Sequence, residues 1–95
     1  RGKTYSAAGV VGFTRAFLFA GARRVIVSLW KVDDEATKVL MVKLYELWNP
    51  KDGSKGLPTA TALKKAMEFV RDHPDHPEWK HPKYWAAWQL WGLPD

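Results

Sequence analysis

The residues best suited to binding chemistry lie at positions 30–35, WKVDDE, at the end of the apolar run RVIVSLW. In open parallel sheets, ligands bind beyond the carboxyl ends of the strands. If the apolar run is such a strand, Asp33 and Asp34 could receive a cationic group, with Trp30 as an apolar wall. The same carboxylates could instead cap the next helix at the positive end of its dipole. The spacing alone favours the capping role and leaves the binding role open.

A second group of candidate residues lies between positions 72 and 81. It consists of His73, His76, His81, Asp72, Asp75 and Glu78. Such side chains could ligate a metal, but a proline follows each histidine and prevents a regular ligand face. Nothing in the spacing pairs a histidine with Ser6, Ser28 or Ser54 as a nucleophile. The sequence therefore predicts an irregular, solvated connector here, and neither a metal nor a cofactor.

Composition excludes several classes of function. The 95 residues contain no cysteine, so they supply no thiol nucleophile, disulfide or cysteine zinc site. The most apolar stretch, residues 7–30, is interrupted by Arg15, Arg23 and Arg24, which argues against a membrane span. Because the sequence begins with Arg1, we expect either a processed polypeptide or an excerpt of a longer one.

The charge pattern gives little support to nucleic-acid binding. The net charge of +5 is modest, and the basic residues are spread along the chain rather than clustered. Residues 53–56, GSKG, match the GxxG loop of KH domains. However, Pro50 and Pro58 make this connection longer than the tight helix-to-helix turn of that fold. A solvated, slightly basic surface is the favoured interpretation.

Apolar periodicity and capping residues predict the order helix, strand, helix, helix, strand. The predicted elements are a helix over 6–20, a strand over 24–30, a helix from Asp33 to Trp48, a helix from Thr59 to Arg71, and a strand over 84–92. Residues 50–58 read as a loop. The unbroken apolar run at 24–30 is typical of a central parallel strand covered on both faces. Two strands do not form a stable sheet alone, so we expect these residues to complete a larger α/β sheet.

Several motifs together resemble one known family. They are Gly12-Phe13, Arg15-Ala16-Phe17, Ala20-Gly21-Ala22-Arg23, Ser28-Leu29-Trp30, Val32-x-Asp34 and the sequence HPKYWAAW at 81–88. They look like the C-terminal half of a CHAT domain, a family of caspase-like cysteine peptidases (clan CD) related to separase and commonly fused to TPR repeats. The resemblance covers nearly the whole chain except the loop near 50–58 and the segment near 72–80.

The resemblance implies that residues 1–95 form the small-subunit (p10-like) part of one caspase-like, three-layer αβα sandwich. Residues 24–30 would be a parallel strand and 85–91 the last, antiparallel edge strand. The family's catalytic His and Cys lie on strands upstream, so a large-subunit half carrying this dyad is the implied partner, in the same parent chain or a separate one. The present residues should be inactive alone.

The resemblance also implies a substrate site. In separase-like relatives the corresponding turn helps to build the pocket for the residue before the scissile bond. By this match, Trp30, Asp33 and Asp34 would bind a peptide substrate with a basic residue at that position. A nearby TPR region, a cytoplasmic location and no cofactor are further expectations. Two alternatives stay open: a non-catalytic pseudo-peptidase module that docks a partner through its sheet edge, and a small basic nucleic-acid-binding domain.

Overall fold

The computed structural model describes residues 17–19 and 24–92, which form a small α/β fold. Its elements in chain order are strand β1 (Phe17–Phe19), strand β2 (Arg24–Ser28), helix α1 (Asp34–Trp48), helix α2 (Thr59–Arg71), two 3-10 turns (Pro77–Lys80 and Pro82–Tyr84) and strand β3 (Trp88–Gly92). A cluster of buried apolar side chains joins the sheet to both helices. Among these residues, no helix is long and apolar enough to cross a bilayer.

β2 is the central strand of the described sheet. β1 and β3 lie on either side of it, and both run antiparallel to it, with Ser28 facing Trp88 in the β2–β3 register. Ile26, Val27 and Ser28 are buried in succession. Because successive side chains of a strand point to opposite faces, this run confirms that both faces of β2 are covered.

Two predictions for the N-terminal part need correction. The parallel pairing predicted for the strand over 24–30 is wrong among the described strands, because only residues 20–23 separate β1 from β2. Such a short connection joins antiparallel strands, whereas parallel strands need a long crossover. The helix predicted over 6–20 is wrong at Phe17–Phe19, where an aromatic-rich segment pairs with the edge of β2 instead. The rest of that predicted helix lies outside the described residues.

Both later helices are confirmed. α1 begins directly after Asp33 and ends at Trp48, and α2 has the predicted limits. Residues 50–57 contain no regular element, as expected for a loop. The helices pack through one buried stripe each, which consists of Ala36, Leu40 and Leu44 on α1 and Ala62, Leu63, Ala66 and Val70 on α2.

The predicted irregular connector is more ordered than its composition suggests. It contains two 3-10 turns, and Trp79 in the first of them is only 2% exposed and belongs to the core shared by the helices and the sheet. The second 3-10 turn also moves the start of the last strand further along the chain. β3 begins at Trp88 rather than at residue 84, because the Tyr84 N–H donates to the His81 carbonyl within this turn.

Candidate functional site

The predicted substrate turn lies at the carboxyl end of β2, where two hydrogen bonds hold it. The backbone N–H of Leu29 donates to the Ala87 carbonyl over 2.8 Å and extends the contact with the segment before β3. The indole Nε1–H of Trp30 donates to the Lys83 carbonyl over 2.9 Å. Trp30 nevertheless stays 38% exposed, so part of its ring can still contact another molecule.

Asp33 occupies the capping position at the start of α1. Its Oδ2 accepts from the backbone N–H of Ala36 over 3.0 Å, and its carbonyl accepts from the Thr37 hydroxyl over 2.9 Å. The first of these bonds satisfies a backbone N–H that the first turn of a helix leaves unpaired. The capping role weighed from the sequence is confirmed for Asp33, and substrate binding by this carboxylate stays a prediction.

Asp34 has a different environment from Asp33. It is exposed in the first turn of α1, and its carboxylate makes no hydrogen bond or ion pair with the residues that the structure describes. Its carboxylate can therefore accept hydrogen bonds from a cationic side chain without releasing the helix cap. The three predicted site residues thus have different environments. The Trp30 ring is partly exposed, the Asp33 carboxylate caps α1, and the Asp34 carboxylate is exposed to solvent.

A further carboxylate, Glu78, lies in the first 3-10 turn of the connector. A hydrogen bond from its own backbone N–H and one with His76 hold the pKa of Glu78 below its ordinary value, while the nearby Asp33 carboxylate opposes that shift. The turn itself contains three carboxylates, Asp33, Asp34 and Glu35, against one lysine, Lys31. This excess of negative charge favours a cationic rather than an anionic ligand.

The connector histidines serve mainly as stacking and turn-forming groups. The His76 ring lies flat on Trp79, with centroids 3.9 Å apart and an angle of 6° between the planes. His73 meets the same indole edge-on at 5.3 Å. His81 accepts from the backbone N–H of Lys83. The sequence interpretation missed this packing, although the repeated spacing of His and Trp in a Pro-rich segment was its visible signal.

Other candidate groups are not assembled into a site. Within residues 17–19 and 24–92, no group of three or more His, Asp or Glu side chains could hold a metal ion. The Ser54 hydroxyl donates to Asp52 over 2.6 Å, and this bond lowers the pKa of that carboxyl. Ser28 is buried in β2, and Ser6 lies outside the described residues.

One groove lies away from the turn, between the two helices. Its volume is about 350 Å³, and its lining residues are Lys43, Leu47, Lys65, Glu68, Phe69, Asp72 and Pro74. The Lys43 ammonium stands 4.7 Å from the centre of the Phe69 ring. Lysines and carboxylates share the rim, so the groove has no single charge preference.

The described elements form a small α/β fold, and the candidate turn lies at the carboxyl end of its central strand. The chain belongs to the CHAT domain family, whose family model matches residues 1–93. It is 40% identical over 88 residues to human (Homo sapiens) tetratricopeptide repeat protein 28, and 38% identical to the mouse (Mus musculus) protein of that name. These matches cover 92% of this chain and 3% of either relative. No solved structure matches the chain.

Proposed function

We propose that these residues form the small-subunit portion of a CHAT-family, caspase-like cysteine endopeptidase. The match to the CHAT family over residues 1–93 carries this proposal. Since the sequence contains no cysteine, the catalytic thiolate must come from another segment of the parent protein or from a partner chain. In the complete enzyme that thiolate attacks the peptide carbonyl, and a histidine transfers the proton to the leaving amine.

The structural part of this role is to complete a three-layer αβα sandwich. α1 and α2 pack on the face of the sheet that contains Ile26. Val27, on the opposite face, is 3% exposed. Coverage of both faces supports an arrangement with helices on each side of the sheet. In this proposal the large-subunit half adds further strands beside the described sheet, and with them the His–Cys dyad.

The binding part of the role belongs to the turn after β2. Asp34 accepts hydrogen bonds from the basic side chain that precedes the scissile bond, and the exposed part of the Trp30 ring contacts its aliphatic portion. A carboxylate and a guanidinium form two parallel hydrogen bonds, which makes arginine the best match. Asp33 contributes negative charge from its capping position. The acidity of the surrounding turn supports this assignment.

The experiment uses the complete CHAT protein that contains these residues. Peptides with Arg, Lys or norleucine before the scissile bond are compared by kcat/KM for the unaltered protein, Asp34→Asn and Glu35→Gln. Both substitutions remove one exposed negative charge from the first turn of α1, so Glu35→Gln is the matched control. We expect Asp34→Asn to lower kcat/KM for Arg peptides by about tenfold or more, because a charge-assisted pair is lost.

Two other outcomes would contradict the binding role of Asp34 or the peptidase function as a whole. Equal effects of the two variants would show that Asp34 acts only through general charge, which contradicts its binding role. No cleavage of any peptide by the unaltered protein would contradict the peptidase function. It would favour the non-catalytic module, whose docking surface would be β3, an outer strand of the described sheet.

A further inference from the structure

The connector at residues 72–84 has no role in the function proposed so far. The structure nevertheless packs it directly against the turn that contains Trp30. A segment that is both built into the core and bonded to the binding turn can determine where that turn lies.

The connector is anchored firmly on its inner side. Trp79 is 2% exposed within the core, His76 stacks on one face of its ring, and Tyr84 lies 6.3 Å away in a nearly parallel orientation. The Trp85 indole donates to the Lys80 carbonyl over 3.1 Å. These contacts hold both 3-10 turns against the helices and the sheet, so the Lys83 carbonyl is presented from a rigid segment.

The outer side of the connector meets the turn through that carbonyl. The Trp30 Nε1–H bond to Lys83 joins residues 53 positions apart in the sequence. Because an indole ring turns about only two side-chain bonds, a single hydrogen bond at its Nε1 restricts both. The ring is thereby held in one orientation while 38% of the residue stays accessible.

We propose that the connector positions Trp30, and through it sets the affinity of the turn for the substrate residue before the scissile bond. The effect on substrate affinity rests on the proposed function. The coupling between the connector and the orientation of Trp30 is independent of that function. Trp30 is then a contact residue for the substrate, while Lys83 and Trp79 are positioning residues that act through it.

The first test separates the hydrogen bond of Trp30 from its bulk. In the complete CHAT protein, Trp30 is replaced by 3-benzothienylalanine, which keeps the ring size and lacks the N–H donor. We expect KM for Arg peptides to rise about two- to tenfold, the range of one net hydrogen bond, with kcat changed less than twofold. The matched control is the same replacement at Trp91, a similarly exposed indole that donates to Gln89. An unchanged KM for the Trp30 variant, or an equal rise for both, would overturn the proposal.

The second test needs no peptidase activity. The complete protein is labelled with 5-fluorotryptophan, and the 19F resonances of Trp30 and Trp91 are assigned by substitution with phenylalanine. Trp79→Phe then disturbs the connector. We expect the Trp30 resonance to shift or split while that of Trp91 stays in place. A Trp30 resonance that does not move would overturn the coupling even if the protein cleaves peptides. A shift in a protein that cleaves none would uphold the coupling and contradict the proposed function alone.

Discussion

The helix pair α1–α2 and the connector at 72–84 bury side chains in two different ways. In the helices, buried positions such as Leu40 and Leu44 recur every three or four residues, so each helix carries a continuous apolar stripe. The connector carries no such apolar stripe, and its one buried residue, Trp79, contacts two histidines and a tyrosine from the same segment. A Pro- and His-rich segment can therefore contribute to the core through aromatic stacking.

The largest expected effect tests whether the connector is core in the same sense as the helices. Replacement of Trp79 by Ala should lower the free energy of unfolding by about 3–5 kcal/mol, as for other buried aromatic residues. Leu40→Ala in α1 should cost about 2–5 kcal/mol. Denaturant unfolding of the complete CHAT domain measures both. If Trp79→Ala lowered the free energy of unfolding by less than an exposed control such as Val42→Ala, the connector would not belong to the core.

The next effect concerns the loop that joins the two helices. A methyl group at Gly56 would overlap the backbone carbonyl of Trp48, so the backbone has to shift. We expect Gly56→Ala to cost about 1–3 kcal/mol of stability, as for overpacking elsewhere. Gly53 has open space around it and a φ of 85°, which asparagine tolerates. Gly53→Asn is therefore the control, and its Tm in thermal unfolding should stay close to that of the unaltered protein.

A smaller effect tests the helix cap of α1 against its charge. Asp33→Ala removes the acceptor for the Ala36 N–H and should destabilise the domain by about 1 kcal/mol. Asp33→Asn keeps an acceptor oxygen and should stay within a few tenths of a kcal/mol of the unaltered protein. Chemical unfolding distinguishes them. Equal losses would mean that the charge, rather than the hydrogen bond, supports the helix.

The smallest effect lies at the junction of α2 and the connector and depends on pH. Two hydrogen bonds from the Arg71 guanidinium, at 2.9 and 2.8 Å, hold the pKa of Asp72 below its usual value of 3.8. A lowered pKa means that this pair stabilises the fold above about pH 3.8 and loses its contribution as the pH falls through the lowered pKa. Carboxyl 13C titration should show the pKa of Asp72 rising in Arg71→Gln. An unchanged midpoint would contradict the role of Arg71.

The sequence predicted the helical layer well because its determinants are local. Asp33 at the cap, the periodic stripe of α1 and the Pro58 boundary of α2 all lie within or next to the element that they define. The burial of β2 on both faces was equally readable from its unbroken apolar run.

The remaining features depend on contacts between distant residues. Phe17–Phe19 has helical spacing to its neighbours, yet it pairs with β2, and local periodicity does not contain that partner. The bond between Trp30 and Lys83 likewise joins residues 53 positions apart in the sequence. For the candidate site, substrate binding by the turn stays a prediction. The different environments of Asp33 and Asp34 depend on the residue at which α1 begins.

The central claim is that these residues complete a cysteine peptidase whose thiolate lies elsewhere. The most direct measurement treats the complete CHAT protein with peptidyl acyloxymethyl ketones that carry Arg or norleucine next to the reactive group, and locates the adduct by mass spectrometry. We expect one modified cysteine outside residues 1–95, labelled faster by the Arg reagent, and we expect this preference to be reduced in Asp34→Asn. Absence of a cysteine adduct with both reagents would contradict it.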